Sequence, residues 1–263
     1  MKRTCRTIHL PENDISAKHT GKISVFAAIV AMCAVLCGCN DNNMLRMFTP
    51  EFSDMELHCD SVEPDFGDPD IVFACSAAFT KDFVPFSHEN IIGSHVSHGV
   101  LYRSDSIREN RGTWGVFTYY DGHFSFDTNN FTEALKKAAT HDGMGFMQYM
   151  VVHDGTACRK WRTNIFKYRV LCDIDDTLRI VESVSPMPYS DFVDSLMTYK
   201  PKNAIYLDMG GWDYCKYRNS NGEIVDNGRK WHKMSTNCIV FRKQTDARDK
   251  KNDTSSVTEF SPI

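Results

Sequence analysis

Apolar residues along this chain gather in short runs separated by turn-forming pairs, a spacing that predicts strands more often than helices. Ile71 to Phe79 is a continuous apolar run bounded by turn signals, short enough for a buried strand. Gly99 to Tyr102 follows, and then Thr113 to Tyr120 and His123 to Phe126, two aromatic and β-branched runs across Asp121-Gly122, which predict a hairpin. Gly145 to Val152 predicts another strand, turned by His153-Asp154-Gly155. Tyr168 to Ile174 and Leu178 to Val184 predict a second hairpin, joined at Asp175-Asp176-Thr177. Asn203 to Leu207 and Cys238 to Phe241 complete the strands.

Two segments have the other period. Phe131 to Thr140 (FTEALKKAAT) has helical composition, with Asn130 or Thr132 as its cap. Tyr189 to Tyr199 places Phe192, Leu196 and Tyr199 at helical spacing, with Ser190 as the cap. Strands interleaved with two helices predict a single α+β domain over 71–242, a mixed or antiparallel sheet with a few flanking helices, rather than a doubly wound sheet.

The two ends read differently. Lys2, Arg3, Arg6, Lys18 and Lys22 precede an apolar run from Ile23 to Leu36, too short for a bilayer span of about 20 residues, so 1–38 reads as a signal peptide. Leu36-Cys37-Gly38-Cys39 follows and resembles the lipobox of bacterial lipoproteins, which makes Cys39 the lipidated first residue of the mature chain. The expected location is the bacterial cell envelope, exported and lipid-anchored, at the outer membrane or its periplasmic face. Residues 39–70 are polar and acidic and read as a tether with an entry strand, and 243–263 as a polar disordered tail.

Composition adds limits. Of 263 residues 42% are hydrophobic and 24% charged, ordinary globular usage that excludes a collagen, a coiled-coil rod or a disordered chain. The chain carries 30 basic and 34 acidic residues; without 1–38 (five basic, two acidic) 25 remain against 32, so no nucleic-acid partner is expected. Six cysteines remain after the leader and Cys39 are set aside. Cys75, Cys172 and Cys238 sit in apolar runs and read as buried strand residues, which leaves at most one disulfide, among Cys59, Cys158 and Cys215. His95 and His98 have an i, i+3 spacing with no third ligand in sequence, and read as a surface loop.

At Asp208 the strand N-A-I-Y-L-D-M-G-G resembles the turn that ends a strand in the phosphodiester glycosidase family. Five further segments resemble that family's in the same order: Phe73 to Phe79, Gly99 to Tyr102, Gln148 to Gly155, Tyr168 to Cys172 and Thr236 to Phe241. The sequence departs from the pattern where the family has an early Asn and Cys75 or Ser76 stands here, at Met209, where it has Gly, and at Trp212, where it has Ser.

The resemblance implies hydrolysis of a sugar-1-phosphodiester, with a carbohydrate or sugar-phosphate as substrate and the membrane as partner through the lipid. The bond to phosphate has a leaving group that is already a stable anion, so the charge to manage is the phosphodiester and an oxocarbenium-like sugar. Arg169 is the candidate phosphate clamp, and the backbone of Gly210-Gly211 offers anion donors. Asp208 either acts as base or nucleophile, binds a cation, or merely closes its turn. Gln148 and Asn237 are polar residues in apolar strands, lining a site or facing solvent. Trp212 and Tyr214 are candidates to stack on a sugar. No cofactor is required; a divalent cation between Asp208 and Asp213 is the alternative. The rival reading is a non-catalytic glycan-binding lipoprotein that keeps the fold.

Overall fold

Four tight turns govern how this chain folds. At His98-Gly99, Asp121-Gly122, Asp154-Gly155 and Asp175-Asp176 both central residues have positive φ, the geometry whose twist joins adjacent antiparallel strands. Glycine takes this conformation freely, and aspartate tolerates it better than most residues.

The computed structural model describes residues 44–81, 86–107, 113–159, 164–210, 213–231 and 235–243. In chain order the strands are β1 Leu45–Phe48, β2 Asp54–His58, β3 Ile71–Ser76, β4 His95–Ser97, β5 Val100–Tyr102, β6 Trp114–Tyr120, β7 His123–Asp127, β8 Met144–His153 and β9 Thr156–Ala157. They continue as β10 Ile165–Phe166, β11 Arg169–Ile174, β12 Thr177–Ser183, β13 Met187–Pro188, β14 Asn203–Leu207, β15 Cys215–Arg218, β16 Ile224–Asp226 and β17 Cys238–Arg242. The helices are α1 Phe131–Thr140 and α2 Tyr189–Met197.

Ten strands form one sheet, with the path β1-β12-β11-β14-β8-β4-β5 and with β6, β7 and β9 attached through β8. Five form a second sheet, β16-β15-β3-β17-β2. Every strand pairing among the described residues is antiparallel. The two sheets face each other across a core that includes Leu57, Phe73, Phe117, Phe146, Leu171, Ile205 and Phe241.

The expected α+β class is therefore corrected to an antiparallel β-sandwich. Both helices form where the sequence places them, but they only cover apolar strips on the outer face of the larger sheet. Phe131 and Leu135 of α1 pack on Val96, Val116 and Met147, and Phe192, Val193 and Leu196 of α2 on Val170, Val181 and Ala204. Neither helix connects parallel strands, so neither sets the topology. Asn130 occupies the N-cap position of α1, one of the two expected, but makes no side-chain cap bond; α2 starts after Pro188, also without one, and the expected cap Ser190 lies inside α2 and bonds to Asp191.

Residues 45–58, inside the segment read as a tether with one entry strand, supply two strands, one to each sheet, because β1 pairs with β12 and β2 with β17. β3 ends at Ser76, earlier than expected, and releases Ala77–Thr80 from the ladder. The six described cysteines are all free, so none of Cys59, Cys158 and Cys215 is in a disulfide. The leader, Cys39 and the tail after Lys243 lie outside the described residues.

Candidate functional site

Where β3 leaves the smaller sheet, residues far apart in sequence close around it. Asn237, just before β17, accepts from the Ala78 N–H through Oδ1 at 2.7 Å and donates Nδ2 to the Ala78 carbonyl at 3.0 Å. One amide side chain thus satisfies both backbone groups of a residue that has left the ladder. The Asp208 N–H donates to the Ala77 carbonyl at 3.0 Å, which ties the end of β14 to the same segment. Thr80 and Thr236 join their hydroxyls at 2.6 Å beside it.

Asp208 is 7% exposed, and its Oδ1 accepts from the Gly210 N–H at 3.0 Å. The turn-closing role considered for Asp208 is present, and Oδ1 is the atom that performs it. Gly210 shares the turn; Gly211 and Trp212 lie outside the described residues.

Gln148 lies in β8 between the stretch that pairs with β14, through Met150, and the stretch that pairs with β4, through Phe146. On the other edge it faces Gly115 of β6. It is fully buried, its Oε1 accepts from the Tyr149 N–H at 2.9 Å, and its Nε2 has no hydrogen-bond partner among the described residues. A buried amide without an acceptor costs about 1–3 kcal/mol, so this donor is available to an oxygen. It lines an interior rather than a solvent face.

Arg169 is placed unlike a ligand clamp. Its side chain has no exposure, and its guanidinium bridges the two sheets. Nε and Nη2 donate to Glu182 Oε2 at 3.0 and 2.8 Å, Nη1 donates to the Tyr214 carbonyl at 3.1 Å, and Nη2 lies 3.0 Å from Asp213 Oδ1. Burial opposes its charge, but the acidic groups around it more than compensate and hold its pKa above the usual value. Cys75 and Cys215 are also close, yet as neutral thiols: burial pushes the Cys215 thiol up to about 11 and the Cys75 thiol well above its ordinary value. The attraction on Arg169 near neutral pH therefore comes from Glu182 and Asp213.

Glu182 is the partner that sequence reasoning missed, although a signal existed. A two-residue turn at Asp175-Asp176 pairs Ile174 with Thr177, and counting back along both strands places Arg169 opposite Glu182. Glu182 Oε1 also accepts from Asn227 Nδ2 at 2.8 Å, and Arg46 of β1 bonds to Asn227 Oδ1.

The two remaining candidates also sit inside this network. Tyr214 is 2% exposed and packs edge-on against Trp231 with Phe66 and Val240 nearby, so its ring offers no face to a sugar. Asp213 faces Arg169 and forms no three-ligand group with Asp208 among the described residues. The structure therefore brings Asp208 and Asn237 to one segment and Arg169, Asp213 and Tyr214 to an adjoining buried network. A surface cavity of about 500 Å³ lies elsewhere, lined by Ser94, Leu101, Arg103, Asp105, Phe131 and Met147, and holds none of the candidates.

The chain matches no protein-family model and no curated protein. Among solved structures it is distantly similar to the zebrafish N-acetylglucosamine-1-phosphodiester alpha-N-acetylglucosaminidase catalytic domain, auto-inhibited by its pro-peptide. The TM-score is 0.48 at 13% identity, over 78% of this chain and 85% of that one.

Proposed function

We propose that the chain is a hydrolase of a sugar-1-phosphodiester, exported and anchored to the bacterial envelope through lipid on Cys39, with its site at the end of β14. The observation that carries the reading is that Asp208 and Asn237 are drawn to one short segment, Ala77–Thr80, from strands more than twenty residues apart in sequence. In this reading Asp208 supplies the carboxylate. The Gly210 N–H is engaged by Asp208 Oδ1 and is not counted as a donor to the substrate. Arg169 acts as a positioning residue: its contacts to Glu182, Asp213 and the Tyr214 carbonyl hold the start of β15 against β11 and β12.

The arrangement of Arg169 favours a second reading. With the guanidinium committed internally no phosphate clamp is presented, which is compatible with a glycan-binding protein without catalysis, although the buried Tyr214 ring is the stacking platform in neither reading.

Hydrolysis of a panel of sugar-1-phosphodiesters, with and without divalent cations, separates the two. Turnover in the parent and loss of at least about a hundredfold in Asp208→Asn, with an unchanged melting curve, supports the hydrolase. Glycan binding that is indifferent to Asp208→Asn, without turnover on any substrate, supports the binder. Incorporation of labelled palmitate that disappears in Cys39→Ser tests the anchor.

A further inference from the structure

Away from Asp208, three metal-ligand side chains meet from three separate segments. Cys59 follows the last residue of β2, His88 opens the short 3-10 turn His88–Asn90, and His95 is the first residue of β4. The Cys59 Sγ and one ring nitrogen from each histidine all lie within 4.8 Å of one another. His95 is buried, and Cys59 and His88 are partly exposed, so the group is open to solvent on one side.

The orientation of both rings is set by the fold. His95 Nδ1 faces the Gly93 carbonyl at 3.4 Å, and since a carbonyl only accepts, Nδ1 is the protonated nitrogen and Nε2 carries the lone pair. That Nε2 lies 3.0 Å from His88 Nδ1. The His88 ring is stacked on Tyr102, centroids 3.4 Å apart and planes 8° from parallel, and Tyr102 is directly opposite His95 across the β4–β5 ladder. The 3-10 turn is fixed by the Glu89 N–H donating to Ser87 Oγ, and the chain after it by the Thr80–Ile91 bridge.

We infer that Cys59, His88 and His95 form a binding site for a thiophilic transition-metal ion, Zn²⁺ being the common case, with a fourth position left to water. Zinc binds imidazole nitrogen at about 2.0–2.1 Å and thiolate sulfur at about 2.3 Å, which places two ligating nitrogens of a tetrahedral site about 3.3 Å apart. The 3.0 Å between the two ring nitrogens needs only a small spreading to reach that. One thiolate and two imidazoles suit zinc or copper and do not suit magnesium or calcium, which take oxygen donors. On binding, the Cys59 proton is released to solvent and the sulfur donates to the metal as thiolate. The alternative arrangement of the same atoms is a hydrogen bond from His88 Nδ1–H to His95 Nε2, which a metal would replace.

The test uses the full chain after chelator treatment, with Co²⁺ as the spectroscopic probe and Zn²⁺ as competitor. The expected result is saturable one-to-one binding, a thiolate-to-cobalt charge-transfer band, its displacement by Zn²⁺, and a Zn²⁺-dependent rise in melting temperature. Cys59→Ser should abolish the charge-transfer band, and Cys59→Ser and His88→Gln should each weaken binding at least about tenfold. Both residues are partly exposed, and the metal-free melting curve of each variant checks its fold separately. Absence of one-to-one binding overturns the site. A cobalt complex without the thiolate band, or binding unchanged in both folded variants, overturns this ligand set.

Discussion

Replacing Arg169 by methionine tests whether this residue belongs to the architecture or to a ligand. The side chain is wholly buried, and its guanidinium makes two bonds to Glu182, one to the Tyr214 carbonyl and an ion pair with Asp213. Methionine fills similar space but leaves the Glu182 carboxylate, itself 4% exposed, without its main counter-charge. Breaking one side of a buried ion pair typically costs about 3–5 kcal/mol. For a body of this size each kcal/mol lowers the melting temperature by roughly 2–4 °C, so Arg169→Met should melt about 6–20 °C below the parent. Circular dichroism melts at neutral pH measure this. Arg169→Met/Glu182→Leu removes both charges, and the pair should recover a substantial part of the loss, a coupling that a double-mutant cycle isolates. An Arg169→Met protein that melts within about 2 °C of the parent would refute the architectural role and return Arg169 to the candidates for substrate contact.

Other expectations follow from the same contacts. Asn237→Ala removes both bonds that satisfy Ala78 and should cost about 2–4 kcal/mol in urea unfolding, with Asn237→Asp intermediate because it keeps the acceptor for the Ala78 N–H. Gly228→Ala should destabilise by about 1–3 kcal/mol in thermal melts, since an added Cβ would run into the backbone at Asp213 to Cys215. The Cys215 thiol, pushed up to about 11 by burial, is roughly one part in a thousand thiolate at pH 8. Native protein should therefore leave Cys215 unalkylated at pH 8 and label it only after unfolding; prompt native labelling would contradict its burial.

The sequence was most legible where structure is local. The hairpins at Asp121-Gly122 and Asp175-Asp176 and both helical segments are where their patterns place them, because turn chemistry and side-chain period act over a few residues. The fold class was not legible, since two helices say nothing of whether they connect parallel strands. Of β1 and β2 only one entry strand was expected: LRMF buries Leu45 alone and DMELH only Met55 and Leu57, and their partners lie far along the chain. For the site, Asp208 and Asn237 were visible as polar residues at strand ends. What the sequence could not reveal was occupancy, because the donors of Arg169 are consumed by Asp213 and Tyr214 from the other sheet. The meeting of Cys59, His88 and His95 had no linear signal, since it depends on β2 approaching β4 across the sandwich.

β17 lies in the middle of the smaller sheet, between β3 and β2, and is the last strand of the described chain. As the polypeptide is made from its N-terminus, β2 and β3 emerge first and have no partner between them until residues 238–242 appear. The smaller sheet is thus zipped last, by one buried strand inserted between two that have waited with open edges. A nascent or truncated chain that stops short of Cys238 presents two unpaired edges at once. Loss of this strand removes a seam inside the smaller sheet rather than one of its outer edges, so a truncated chain is open to edge-to-edge aggregation in a way the finished fold is not.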